Sequence, residues 1–357
     1  MKNIIVGMSG GVDSAVAAYL LVKKGYNVEG IFMKNWEDDS EYCTSEADYL
    51  DALQVCDKID IPLRTVNFSK QYWNRVFKYF LDEYKSGRTP NPDIMCNTEI
   101  KFKEFLDYAI NLGADKIATG HYVQIKKNEN KFKLLKGSDP NKDQSYFLYG
   151  LKQSQIKKVI FPVGSLKKSV VREYAEKLGF NNSKKKDSTG ICFIGKRNFK
   201  SFLKEYLPEQ PGEIITLDGE IIGQHDGLMY YTLGQRKGLG VGGASDKKGS
   251  PWYVIDKDLN KNRLIIGQGI DNKKLYKISL TASKINWISG NATKLKNCYA
   301  KIRYRMDDAP CIIKKITPNS IKVEFLEPQF AIAPGQSIVF YNKDECLGGG
   351  VIDKSIN

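Results

Sequence analysis

An α/β fold with a parallel sheet, followed by one or two small β modules, is what the sequence predicts, on three observations. Short apolar runs alternate with helix-period stretches through about the first 120 residues, as a parallel sheet with crossover helices requires. A glycine-rich turn separates the first apolar run from the first helical stretch. After Pro208 the character changes to short β-like runs separated by Gly, Asp and Asn.

Ile4–Gly7 is apolar and strand-sized, and Ala15–Lys24 places apolar residues at helical spacing until Gly25 stops it. Val28–Met33 reads as the second strand, Glu46–Lys58 as a helix and Leu63–Phe68 as the third strand. Tyr72–Lys85 sets Trp73, Phe77, Phe80 and Tyr84 three and four residues apart, the mark of a core-facing helix. Ser86–Cys96, rich in Gly and Pro, reads as a loop. Glu99–Leu112 reads as a helix, and Lys116–Thr119 as a strand ending in Gly120-His121-Tyr122. The later strand-like runs are Glu213–Leu217, Trp252–Asp256, Leu264–Gly267, Ala300–Arg305, Ile312–Ile316, Ile321–Phe325 and Ser337–Tyr341.

With 357 residues, 41% hydrophobic and 27% charged, the chain can bury substantial cores, which excludes wholesale disorder. No window approaches the roughly 18 apolar residues of a membrane span, and the apolar N-terminal run is too short for a signal peptide. A cytoplasmic protein is expected. The net charge of +14 is unevenly spread. Residues 1–121 hold 14 basic and 18 acidic side chains, residues 122–204 hold 20 and 6, and residues 205–357 hold 21 and 17. Such clustering suits a polyanion such as nucleic acid, and equally a solvated Lys-rich face.

Ser9-Gly10-Gly11-Val12-Asp13-Ser14 lies between the first strand and the first helix. Glycines let backbone N–H groups approach a phosphate, the two serines add hydroxyls, and the helix start adds partial positive charge. No lysine follows, so this is not the GxxxxGK[ST] loop, and the glycine spacing is not that of the GxGxxG turn. Asp13 within an anion site makes sense if Mg²⁺ lies between carboxylate and phosphate, which makes Asp13 the candidate metal ligand. The run resembles the pyrophosphatase-type loop (PP-loop) of enzymes that split ATP into AMP and pyrophosphate.

The seven cysteines, at 43, 56, 96, 192, 298, 311 and 346, include no CxxC pair and no zinc-ligand spacing. Two stand out by their surroundings: Cys96 in Gly87-Arg88-Thr89-Pro90-Asn91-Pro92-Asp93-Ile94-Met95-Cys96-Asn97, and Cys192 in Asp187-Ser188-Thr189-Gly190-Ile191-Cys192-Phe193. Together with the loop, and with Met33-Lys34-Asn35-Trp36, Ala118-Thr119-Gly120-His121-Tyr122, Lys142-Asp143-Gln144-Ser145, Tyr231-Thr232-Leu233-Gly234-Gln235, Arg303-Tyr304-Arg305 and Pro334-Gly335-Gln336, these runs resemble the bacterial tRNA-specific 2-thiouridylase (MnmA) family nearly end to end.

That resemblance implies a Rossmann-like PP-loop domain over residues 1–206, a small central β-rich domain over 207–275 and a C-terminal β-barrel over 276–357. It implies ATP-dependent 2-thiolation of the wobble uridine of tRNA, with ATP and Mg²⁺ as cofactors. The partners would be the tRNA anticodon stem-loop and a persulfide donor such as a cysteine desulfurase or sulfur-relay protein. The chemistry is coherent. Exchanging a carbonyl oxygen for sulfur needs an adenylated oxygen and a sulfur nucleophile, and releasing sulfur from a persulfide gives work to a second cysteine, which closes a disulfide. By resemblance, Cys192 carries the persulfide and Cys96 is the partner nucleophile, while Asp93, three residues before Cys96, is placed to exchange protons with the uracil. Gly7, Met8, Ser9, Gly10, Gly11, Val12, Asp13, Ser14, Met33 and Gly120 would bind nucleotide. Asn91, Pro92, Asp93, His121, Lys142, Asp143, Gln144, Arg303, Tyr304 and Gln336 would meet tRNA. The other five cysteines read as structural, and an iron–sulfur cluster on Asp93, Cys96 and Cys192 stays open. Two rival readings also stand at this stage: a small-molecule ATP-pyrophosphatase, which has no use for Cys96 and Cys192, and a non-catalytic RNA-binding protein.

Overall fold

The computed structural model describes residues 1–36, 45–187, 198–241, 250–292, 295–318 and 320–357. Cys43 and Cys192 therefore lie outside the described residues.

The first half runs β1 (Asn3–Met8), a helix Val12–Lys23, β2 (Asn27–Lys34), a helix Ser45–Lys58, β3 (Leu63–Asn67), helical residues 69–85 and 92–111, and β4 (Lys116–Ala118). A hairpin of β5 (Val123–Asn128) and β6 (Lys131–Lys136) follows, then β7 (Val159–Ile160) and the helices Lys168–Lys177 and Phe199–Lys204. The five parallel strands stand in the order β3-β2-β1-β4-β7. Along β1, Ile4, Val6 and Met8 enter one core and Ile5 the other, so helices cover both faces, as parallel sheets require.

The central module holds β8 (Gly212–Thr216), β9 (Ile221–His225), β10 (Trp252–Asp258) and β11 (Arg263–Gln268), ordered β10-β11-β8-β9. The last six strands are β12 (Tyr276–Trp287), β13 (Asn297–Lys301), β14 (Ala309–Ile316), β15 (Ser320–Phe330), β16 (Ser337–Asn342) and β17 (Glu345–Ile356). They follow one another as β12-β15-β14-β13-β16-β17, and β12 pairs back onto β17 to close an antiparallel barrel. Closure removes the open edges that would otherwise invite strand addition.

Two expectations need correction. Residues 86–96 are not all loop: a helix starts at Pro92, where the proline's fixed φ suits the first turn and the Asn91 side chain accepts the Asp93 and Ile94 N–H groups. The Ala300–Arg305 run is strand only to Lys301, after which the chain turns. The β5–β6 hairpin was not anticipated. Glu345 and Cys346 of β17 pair with Leu135 and Leu134 of β6, so the first module extends the barrel's sheet by two strands.

Core packing joins the modules as well. One cluster runs from Phe77, Phe102 and Phe105 through Ile214, Val254 and Ile266 to Val339 and Tyr341. Of the cysteines read as structural, Cys56, Cys298, Cys311 and Cys346 are all buried. Burial, with Asp57 adding, pushes the Cys56 thiol up to about 12. Cys298 and Cys311 face each other across β13 and β14 with their sulfurs 3.7 Å apart.

Candidate active site

In the order β3-β2-β1-β4-β7 the chain reverses direction between β1 and β4, and ligand crevices open at the carboxyl ends of such strands. The loop after β1 and the Gly120-His121-Tyr122 run after β4 meet there. A Cβ on Gly120 would lie 2.6 Å from the Asp13 carbonyl carbon and 2.7 Å from the Ser14 nitrogen, so only glycine permits this approach. Gly10 is left-handed at φ +69°, and a Cβ there would meet the Asp48 carbonyl oxygen at 2.3 Å.

Within the loop the Ser14 hydroxyl donates to Gly11 O (3.0 Å) and accepts from Ser9 N (3.2 Å), fixing the bend. The helix Val12–Lys23 begins at Gly11 with no side-chain cap, which leaves its first N–H groups for an anion. Gly7 lies under the Met33 side chain, whose Cε would be 3.2 Å from a Cβ at Gly7.

Asp13 sits in a network that sequence reasoning missed. The buried Lys168 ammonium donates to both Asp13 oxygens, at 2.7 and 2.8 Å, and the Tyr122 hydroxyl donates to Oδ1 at 2.6 Å. Burial, then the Asp13 charge, pushes the Tyr122 phenol far up, so it stays a donor. Lys168 also pairs with Asp187 at 2.7 Å, and Lys142 (2.5 Å) and Arg172 (3.3 Å) converge on the same carboxylate. Burial raises the Asp187 carboxyl, but the hydrogen bonds from Lys142 and Lys168 outweigh it and take it down to about 2. The run of motifs gave no signal for Lys168, which lies 155 residues from Asp13.

Asp93 and the buried Cys96 lie on the helix that starts at Pro92. Phe105 of the same helix touches Gly7, and Phe102 packs 5.6 Å from the His121 ring. Burial raises the Asp93 carboxyl, with Lys101 acting against it. His121 is held by Thr119, whose Oγ1 is 2.6 Å from Nδ1, and burial keeps the ring neutral well below the usual histidine range.

The loop leading into this helix is gripped by both β modules. Lys257 Nζ donates to Gly87 O (2.8 Å), and Thr89 Oγ1 lies 3.1 Å from Thr232 Oγ1. From the barrel, Pro334 O accepts Thr89 N–H (2.8 Å), and the Gln336 amide donates to Thr89 O (2.9 Å). Several expected tRNA contacts thus have protein partners. The Arg303 guanidinium donates to Leu233 O (2.8 Å) and Ala331 O (2.9 Å), joining the central module to the barrel. Buried Asp143 accepts from Gly137 N and from Ser145, and Gln144 accepts Tyr122 N–H at 3.0 Å. Tyr304 packs on Phe147 at 4.4 Å. Lys142 pairs with Asp187, while half-exposed Asn91 caps its helix ahead of buried Pro92. Cys192 falls outside the described residues, so its position relative to Cys96 is not part of this geometry.

Three family models match consecutive stretches: a tRNA methyl transferase HUP domain over residues 2–196, a tRNA methyl transferase PRC-barrel domain over 200–268 and an aminomethyltransferase beta-barrel domain over 277–352. Among curated proteins, the tRNA-specific 2-thiouridylase MnmA of Pseudomonas savastanoi pv. phaseolicola is 57% identical, the match covering 99% of this chain and 94% of that protein. The protein of the same description from Methylococcus capsulatus is 55% identical over 99% of this chain and 97% of its own length. That from Escherichia coli O1:K1 is 57% identical, over 99% and 98%. Similarity at this level along both chains, on a fold with the expected order of modules, places the chain in the tRNA-specific 2-thiouridylase (MnmA) family.

Proposed function

We propose that the protein is an ATP-dependent tRNA uridine sulfurtransferase that converts the wobble uridine of tRNA to 2-thiouridine, with release of AMP and pyrophosphate. The observation that carries this reading is family membership over 99% of the chain, joined to the close approach of Gly120 to the Asp13–Ser14 backbone at the carboxyl ends of the parallel strands. The donor set suits a nucleotide: an uncapped helix start, two serine hydroxyls and glycines that allow close approach. ATP supplies an activated uracil 2-oxo oxygen, with AMP as the leaving group. Asp13 is the carboxylate suited to Mg²⁺. Lys168 already faces its oxygens, so most of the ion's ligands would be phosphate and water oxygens, as Mg²⁺ favours.

The remaining roles belong to side chains. Lys168 holds Asp13 in place against the loop. Asp93, whose raised affinity for a proton comes from burial, exchanges protons with the uracil beside Cys96. Cys192 delivers persulfide sulfur, and Cys96 attacks its inner sulfur, so that one sulfur leaves for the tRNA and a Cys96–Cys192 disulfide remains to be reduced. A cysteine desulfurase or sulfur-relay protein loads Cys192. The anticodon stem-loop approaches Asn91, His121 and Lys142. No helix among the described residues is long and apolar enough to cross a membrane, and a thiol mechanism suits the reducing cytoplasm, where we place it.

The test incubates the protein with tRNA, ATP, Mg²⁺ and a persulfide source and reads the wobble nucleoside by mass spectrometry, with pyrophosphate in parallel. Thiouridine and tRNA-dependent pyrophosphate release are expected. Pyrophosphate release without tRNA points to the small-molecule reading, and no turnover at all points to a binding protein.

A further inference from the structure

The lysine run Lys184-Lys185-Lys186 looks uniform in sequence, but the structure treats its middle member differently. Lys184 and Lys186 are exposed, whereas Lys185 points into the molecule and pairs with Asp48 (2.7 Å) and Asp51 on the helix Ser45–Lys58. Its Nζ also lies 3.3 Å from Gly10 O. The same carbonyl accepts Asn182 Nδ2 at 3.1 Å. Asn182 is only 3% exposed, and its Oδ1 is buried without a hydrogen-bond partner. Leaving an acceptor orphaned is costly, so the site is built around the donor end of this side chain.

From the geometry we propose that Asn182 and Lys185 are positioning residues for the nucleotide loop and act through the Gly10 carbonyl. Gly10 has the left-handed backbone that turns β1 into its helix. Its carbonyl orientation sets where the next N–H groups point, because the intervening peptide is planar. Two donors on that oxygen fix the peptide plane from one side, while the Asp48 backbone closes the other side against Gly10 Cα. The segment supplying the donors is itself tied down. Lys58 Nζ donates to Gly179 O (2.8 Å), Asn181 donates to Gln54, and Arg172 donates to Ser183 O (2.9 Å) and Lys185 O (3.2 Å). The Lys185 charge is balanced by two carboxylates, so its contribution is orientation of the loop rather than attraction of phosphate. This inference rests on the reading that the loop binds ATP.

The experiment measures affinity for a non-hydrolysable ATP analogue, with Mg²⁺, and for tRNA in the full chain. Asn182→Ala and Lys185→Met are expected to raise the analogue Kd about tenfold each, the value of one well-placed hydrogen bond, with tRNA affinity within about twofold of wild type. Lys185→Arg, which keeps a donor, should recover most of the loss. Lys58→Met is the control: it cuts one tie of the donor segment without touching Gly10, so it lowers the melting midpoint and raises the analogue Kd by less than about twofold. If Asn182→Ala does not fold, Asn182→Leu gives the same readout, since it nearly keeps the shape and removes the donor without burying a charge. Unchanged analogue affinity in the Asn182 and Lys185 variants, or an equal loss in Lys58→Met, overturns the assignment. A wild-type chain that fails to bind the analogue overturns the ATP reading and this one together.

Discussion

Lys168 donates to both carboxylate oxygens of Asp13, at 2.7 and 2.8 Å. A carboxylate inside an anion-binding loop calls for a cation, and from sequence that cation had to be a metal ion. The fold supplies an ammonium from the helix Lys168–Lys177, and the same ammonium reaches Asp187. Lys168 therefore joins the nucleotide loop to the basic middle segment, beside the contacts of Tyr122, Asn182 and Lys185.

Lys168→Met leaves two partly buried carboxylates without their shared donor. A loss of about 1–3 kcal/mol is expected in urea unfolding, with tRNA-dependent pyrophosphate release reduced at least about tenfold. Lys142→Met, which touches only Asp187, is expected to cost less. Equal losses for the two variants would remove the bridging role from Lys168.

Asp187 gives a pH signature. Its folded carboxyl titrates at about 2, below the roughly 3.9 of an unfolded aspartate, so it adds stability above pH ~4 that is lost as pH falls toward 2. The stability gap between wild type and Asp187→Asn is expected to be flat from about pH 5 to 8 and to narrow between about pH 4 and 2. A gap that widens toward acid contradicts the ion-pair account.

Asp93 runs the opposite way. Burial raises its folded affinity for a proton, so its contribution to stability is complete at acid pH and falls as the pH rises through the folded value. Asp93→Asn is expected to melt higher than wild type near pH 7, with the difference shrinking below about pH 4. Thiouridine formation should fall by about 10²–10⁴-fold, the usual weight of a general acid–base group. Higher stability with intact activity would leave Asp93 without a chemical role.

The lysine run separates by salt dependence. Neutralising exposed Lys184 and Lys186 together is expected to lower the slope of log K for tRNA against log salt by about one to two units, at ~0.7–0.9 per phosphate. Lys185→Gln is expected to leave that slope unchanged, because its charge is already spent on Asp48 and Asp51. Binding titrations at three salt concentrations decide the matter.

Arg303→Ala is expected to destabilise the chain by about 1–3 kcal/mol, since two carbonyls lose their donor. Its effect on the tRNA salt slope should be small. A slope change of about one unit would return Arg303 to the phosphate contacts expected from sequence.

What could be read in advance depended on how far apart the partners lie along the chain. The strand Ile4–Gly7, the turn at Ser9–Ser14 and the helix after it are contiguous, and local spacing alone identified them. The β5–β6 hairpin escaped notice because five lysines, Lys126, Lys127, Lys131, Lys133 and Lys136, occupy its twelve strand positions and mask the period-2 pattern. Lys168, Asn182 and Lys185 carry no local sign of their partners at Asp13 and Gly10, since their meeting is produced by tertiary folding. Gln336 and Arg303 stand in recognisable motifs, but their bonds to Thr89, Leu233 and Ala331 arise only from the folded chain.

The pairing of Leu135 with Glu345 has a consequence for biosynthesis. The hairpin leaves the ribosome some 210 residues before the strand that covers it (345 against 135), so it must wait with an open edge while the central module and most of the barrel are made. The hairpin cannot join the barrel's sheet until the last strand has been made. Truncation after residue 206 removes the partner of that edge permanently, and the fragment is expected to self-associate where the whole chain does not, with Glu345 and Cys346 acting as the late stitch that ends the exposure.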